Sequence, residues 1–214
     1  MVTDLIAAVK AGDVAAVEAL LAREPELAGA QEDGIPAVRI ALYHRQPAAL
    51  AALLAARPPL DGLDLAALGR VADLRRAVAE DPELLSRRAA DGFTALHYAC
   101  FFGGAPAAAV LLEAGADPDA EAANPSRVRP LHSAAAARDA ESARLLLEAG
   151  ADANAKQAGG FTALQAAAQH GDEPLAALLL RHGADPALRN DGGDDAHAMA
   201  RANASTAVLA LLGG

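Results

Sequence analysis

What most restricts the fold of this chain is a segment that returns with a fixed period. The runs Leu111-Leu112-Glu113-Ala114-Gly115-Ala116-Asp117, Leu146-Leu147-Glu148-Ala149-Gly150-Ala151-Asp152 and Leu179-Leu180-Arg181-His182-Gly183-Ala184-Asp185 end alike, and their glycines stand 35 and 33 residues apart. Each run follows a matching start: Asp91-Gly92-Phe93-Thr94-Ala95-Leu96-His97, then Arg129-Pro130-Leu131-His132, then Gly160-Phe161-Thr162-Ala163-Leu164-Gln165. An eroded fourth start is Asp191-Gly192-Gly193-Asp194-Asp195-Ala196-His197. A unit of this length cannot cover its own apolar face, so neighbours must stack on one another. The first 90 residues keep the rhythm in diverged form. Gly12-Asp13-Val14 through Leu27 aligns without gaps on Gly69-Arg70-Val71 through Leu84, and a unit from Gly34 to Leu54 lies between them. Seven helix pairs are expected, beginning near residues 1, 32, 61, 91, 124, 159 and 191.

The residue types explain why each unit should be a helix pair. Alanine has the best helix propensity, and its small side chain lets adjacent helices approach closely. Thr94, Thr162 and Asp194 stand where an N-cap is needed and can accept from orphan backbone N–H groups. Arg129 cannot, although Pro130 behind it suits the first helical position. Leu96, Leu131 and Leu164 should point inward with the leucine pairs 111–112, 146–147 and 179–180. Gly115, Gly150 and Gly183 stand where a left-handed cap turns the chain.

The period of about 33 residues and the T-P-L-H-x-A-like start resemble the ankyrin repeat. The resemblance implies an all-α ankyrin-repeat solenoid of stacked helix-turn-helix pairs with short hairpin fingers. It would be a single domain over 1–214, with diverged short repeats over 1–90, well-matched repeats over 91–190 and a C-terminal capping repeat over 191–214. The first three pairs are expected to have short Pro-containing connections in place of the family's long finger. In the last helix, Ser205 to Leu212, Ala207 and Ala210 lie opposite Val208, Leu211 and Leu212. That fits a simple alanine-faced cap, with a weak end-to-end dimer as the alternative. The heavy use of alanine points to a GC-rich bacterial source.

Composition removes several function classes. With 18 basic and 28 acidic residues the net charge is −10. That argues against nucleic-acid and anionic-membrane partners, which require a basic surplus. No apolar run approaches the roughly 20 residues that cross a bilayer, and the start shows no signal-peptide pattern. A single cysteine, Cys100, leaves no intrachain disulfide, so a cytoplasmic location is expected. No phosphate-binding glycine loop and no G-x-S-x-G elbow occurs.

Residues that could carry chemistry read as structural. His97, His132 and His197 recur at the repeat period and not at a metal-ligand spacing; in the resembled family such a histidine braces the loop–helix junction. Cys100 matches Ala135 and Ala168 in later units, which suits a buried thiol. Asp117, Asp152 and Asp185 recur as turn residues. No catalytic, cofactor or metal site is expected, and the chain reads as non-enzymatic.

The informative variation lies on the surface that, in ankyrin-like stacks, grips partners: the fingers and the exposed ends of the first helices. Those positions are Lys10, then Tyr43 and His44, Ala67 and Leu68, Phe101 and Phe102, Ala136 and Ala137, Gln169 and His170, and Arg201. Aromatics are only 3% of the chain, so Tyr43, Phe101 and Phe102 on this line, and Phe93 and Phe161 on the fingers, are the candidate anchors. The alternative for Phe101 and Phe102 is that they fill a gap between the third and fourth units. Arg127 and Arg129, on the finger from Ala122 to Arg129, either meet an acidic spot on a partner or belong to a solvated loop tip. The expected function is that of a monomeric adaptor binding a protein or peptide in its concave groove, the partner carrying a basic patch. The alternative is an inhibitor or immunity-type protein that neutralises a basic enzyme or toxin, using its charge for steering.

Overall fold

The computed structural model describes residues 1–213. Among them fourteen α-helices follow one another as seven pairs. They are α1 (Val2–Ala11) with α2 (Val14–Arg23), α3 (Ala37–Tyr43) with α4 (Pro47–Ala55), and α5 (Gly62–Ala67) with α6 (Val71–Glu80). Then come α7 (Ala95–Tyr98) with α8 (Ala105–Glu113), α9 (Pro130–Ala137) with α10 (Ala140–Glu148), α11 (Ala163–His170) with α12 (Glu173–Arg181), and α13 (Ala196–Ala202) with α14 (Thr206–Leu211). First helices pack on first helices of the next unit, and second helices on second helices everywhere except between α4 and α6, as stacking of successive units requires.

Local sequence sets the ends of these helices. Asp13, Asp139 and Asp172 accept from Ala16 N, Ser142 N and Leu175 N at 3.0, 3.0 and 3.2 Å, capping second helices. At α11 the Thr162 hydroxyl accepts from Gln165 N while the Gln165 amide oxygen accepts from Thr162 N, a reciprocal box. The seventh pair is capped by Asp195, whose carboxylate accepts from Ala198 N at 2.9 Å, and not by the expected Asp194. Asp194 is consumed by the preceding turn, where its backbone exchanges hydrogen bonds with Asn190. Gly115, Gly150 and Gly183 adopt φ of 94°, 95° and 83°, a conformation that favours glycine.

The fingers correct one expectation. A two-stranded hairpin, β1 (Gln31–Glu32) with β2 (Ile35–Pro36), joins the first two units. Its turn residues, Asp33 and Gly34, both have positive φ, the geometry that an Asp-Gly pair supplies to a tight hairpin. A bridge between Arg88 and Thr94 closes a second finger before the fourth unit. Only the connection from the second unit to the third, through Pro58 and Pro59, is short. Short connections therefore do not characterise all three N-terminal pairs.

The apolar core is correspondingly interrupted. One buried cluster runs from Leu5 to Leu53 and a second from Leu63 to Leu212. Leu96, Leu131 and Leu164 point inward as expected, with Leu111, Leu146, Leu147 and Leu179. Leu112 and Leu180 are half-buried, each lying on the flank of its helix.

Candidate functional site

The third residue of the first helices α3, α5, α7, α9 and α11 organises the stack. His97 and His132 sit there, buried, and their Nε2 atoms reach the Val128 and Ala155 carbonyls of the following finger at 3.0 and 3.1 Å. Gln165 does the same in the sixth unit, donating to the Leu188 carbonyl at 2.8 Å. In both histidines Nδ1 accepts a backbone N–H, from Thr94 and Arg129, so the proton resides on Nε2 and the ring is neutral. His197 departs from the expected equivalence. It is the second residue of α13, half-buried, and pairs with the Leu212 carbonyl at 3.0 Å.

Burial pulls the His97 imidazole down to about 4, more strongly than the Val128 bond raises it. Burial lowers His132 as well. Because the folded value of His97 lies below the ordinary imidazole value of 6.5, its contribution to stability is fully present above pH 6.5 and is lost as pH falls to about 4. The loss attributable to His97 is about 3 kcal/mol. Urea denaturation at pH 7 and pH 4 should show it, and His97→Gln, which keeps both hydrogen bonds, should flatten the difference.

The second and third units carry a different solution at this position. Arg39 and Asp64 occupy it, and no finger lies between these units to offer a carbonyl. The Arg39 Nε therefore donates to Asp64 at 2.8 Å, with both side chains almost fully enclosed, at 3% and 1% exposure. Arg39 also pairs with the half-exposed Asp61 at 3.3 Å and donates to the Tyr98 hydroxyl at 3.2 Å. Burial, reinforced by the Asp61 charge, pushes the Asp64 carboxyl up, and the Arg39 guanidinium opposes the rise. The Tyr98 hydroxyl in turn donates to Asp91 at 2.7 Å, and the Tyr43 hydroxyl donates to the same carboxylate at 2.7 Å. Burial and these bonds raise both phenols well above their ordinary value.

This polar chain underlies an apolar pocket of about 350 Å³, lined among others by Tyr43, Phe93, Tyr98, Phe101, Phe102 and Ala136. The rings meet nearly edge to face: Tyr43 and Phe102 lie 5.3 Å apart at 80°, and Phe101 and Phe102 lie 4.7 Å apart at 79°. The backbone is irregular here. The fifth and sixth first helices close on left-handed Arg138 and Gly171. The fourth closes instead through a π-turn over Ala99–Gly103, with Gly104 N bonded to the Ala99 carbonyl at 2.7 Å. A Cβ at Gly103 would collide with the Ala66 carbonyl oxygen, so this turn can lie against α5 only as glycine.

The structure thus brings together four of the five candidate anchors: Tyr43, Phe93, Phe101 and Phe102. Tyr43 and Phe101 are 39% and 38% exposed. Phe93 and Phe102 are half-buried and also pack on the core. His44 caps α3 outside the pocket, and Phe161 is half-buried on a later finger. Gln169, His170 and Arg201 are exposed farther along the stack and are not part of the pocket. Ala67, expected on the groove, is buried beneath it. Sequence reasoning missed Arg39, Asp64, Tyr98 and Asp91. The available signal was an opposite-charge pair at the repeat position held elsewhere by His97 and His132.

The remaining polar candidates resolve structurally. Arg127 pairs with Glu121 at 2.8 Å and Arg129 with Asp119 at 3.3 Å, so neither is a free cation on the finger. Cys100 is buried in the π-turn, and burial pushes its thiol up, away from a reactive thiolate. Among the described residues no group of three or more His, Cys, Asp or Glu is placed to hold a metal ion, and no helix is long and apolar enough to cross a membrane.

Comparison with curated proteins returns no match. The family model for ankyrin repeats (3 copies) matches residues 63–157 and 119–190, together more than half of the chain. The match begins where the second apolar cluster begins, at Leu63, so that it includes Asp64 and leaves Arg39 on the other side of the seam. With helix pairs, fingers and the bracing histidines in register, the chain belongs to the ankyrin repeat family.

Proposed function

We propose that this chain recognises an extended segment of a partner protein along its finger-lined groove, with the aromatic pocket as the anchoring point. Ankyrin repeats are generally protein–protein interaction modules, which sets the class. The observation that carries the finer reading is the gathering of rings. The chain has two tyrosines, four phenylalanines and no tryptophan, and every one of these rings except Phe161 lines this one pocket. Core packing alone does not require it, because the other units fill their cores with leucine and alanine. Partly exposed aromatics in a concave apolar site are the usual hot-spot chemistry. Operation as a monomer in the cytosol of a bacterium is part of the proposal and rests on composition and the lone cysteine.

Selection from a displayed library of random peptides tests the reading. Phe101→Ala should weaken the selected peptides about tenfold or more. Because this ring is partly exposed, the midpoint of thermal unfolding should stay within about 4 °C of the parent. Peptides that bind parent and variant equally would place recognition elsewhere.

A further inference from the structure

We propose that the residue anchored in the aromatic pocket is an arginine, presented by a basic segment of the partner; this rests on the reading of the groove given above. No cation lines the pocket. His97 and His132 are the titratable bases in its wall, and both are fixed as neutral rings by accepting backbone N–H groups at Nδ1. The rest of the wall is five aromatic rings with the uncharged Val128, Ser133, Ala136 and Gln157, and an aromatic face attracts a cation.

Charge behind the walls has the complementary sign. The Tyr43 and Tyr98 hydroxyls both donate to Asp91, which shifts electron density toward their rings and strengthens their hold on a cation. The polar chain beneath sets one guanidinium, Arg39, against three carboxylates, Asp61, Asp64 and Asp91. The cluster therefore keeps a negative surplus under an apolar surface, within a chain of net charge −10. Its affinity for a guanidinium is already used once internally, where Arg39 lies 5.2 Å from the centroid of the Tyr98 ring.

Arginine suits this site better than lysine. An ammonium is strongly hydrated and needs several acceptors, whereas a guanidinium is planar, weakly hydrated and stacks on rings. Both Asp91 oxygens already accept tyrosine hydroxyls. At the pocket rim the Gln157 side-chain amide makes no hydrogen bond among the described residues, and its carbonyl can accept from a guanidinium. An apolar anchor would fill the same volume without gaining anything from the carboxylates below.

The two tyrosines both line the pocket and tryptophan is absent, so tyrosine fluorescence of the full chain reports on this site. Three short peptides, identical but for a central arginine, citrulline or leucine between lysines, are titrated against it at low and high salt. The arginine peptide should bind about tenfold tighter than either of the others, a gap of about 1.4 kcal/mol. The gap should shrink in high salt and vanish in Phe101→Ala. Citrulline or leucine binding as tightly as arginine overturns the inference. If that binding is still lost in Phe101→Ala, the groove stands as the recognition surface. Binding of all three peptides unaffected by Phe101→Ala overturns both readings. No response to any peptide up to millimolar concentration overturns the arginine inference, and the display selection then decides the groove on its own.

Discussion

Arg39→Met is expected to lower the free energy of unfolding by about 3–5 kcal/mol. Methionine matches the length of the arginine stem but leaves the Asp64 carboxylate enclosed with no cation beside it. Taking a buried ion out of water without a partner costs more than the loss of one hydrogen bond. The damage should be local in a revealing way. The apolar core already divides at this seam, and a solenoid holds together only through nearest-neighbour interfaces. A circular-dichroism melt of Arg39→Met should therefore show an early step belonging to the first two units, and hydrogen exchange should map that step to residues before Asp61. Adding Asp64→Leu removes the stranded charge and should recover most of the loss. A single transition at the parent midpoint in Arg39→Met would mean that the pair contributes nothing to the seam.

Leu131→Ala should cost about 2–5 kcal/mol, because the side chain is 1% exposed in the middle of the larger cluster and its removal opens a cavity that packed helices cannot close. For a chain of this size that corresponds to a midpoint roughly 10 °C lower by differential scanning calorimetry. Leu112→Ala, at a half-buried position, serves as the control and should cost distinctly less. Equal effects of the two would contradict the assignment of the inward face.

Much of this architecture was legible in the chain. The recurring Leu-Leu/Gly-Ala-Asp endings mark second helices and their left-handed turns, since only a few residue types tolerate that backbone. The inward leucines follow from the same register, and the bracing role of His97 and His132 from the resemblance to the ankyrin repeat. The Asp33-Gly34 pair is a hairpin signal, which the expectation of short Pro-containing connections passed over. Pro36 is tolerated there because it lies at the edge of a two-residue strand. The displacement of the last cap from Asp194 to Asp195 was not readable, since two adjacent aspartates are equivalent until the Asn190 turn chooses between them.

The candidate site was only partly legible. Tyr43, Phe93, Phe101 and Phe102 stood out because rings are scarce, whereas Phe161, Gln169, His170 and Arg201 occupy equivalent places without joining them. What separates the two groups is the π-turn and the missing finger after the second unit, both properties of neighbouring backbones. The sequence by itself determined the repeat, its period and the faces that stack, because helix propensity, caps and apolar spacing act within about one turn of chain. Only the tertiary structure decided that Arg39, Asp64, Tyr98, Asp91 and Tyr43 form one connected chain beneath a ring-lined pocket. Those residues come from three units, and hydrogen bonds at 3 Å depend on how the units are stacked, which no single repeat encodes.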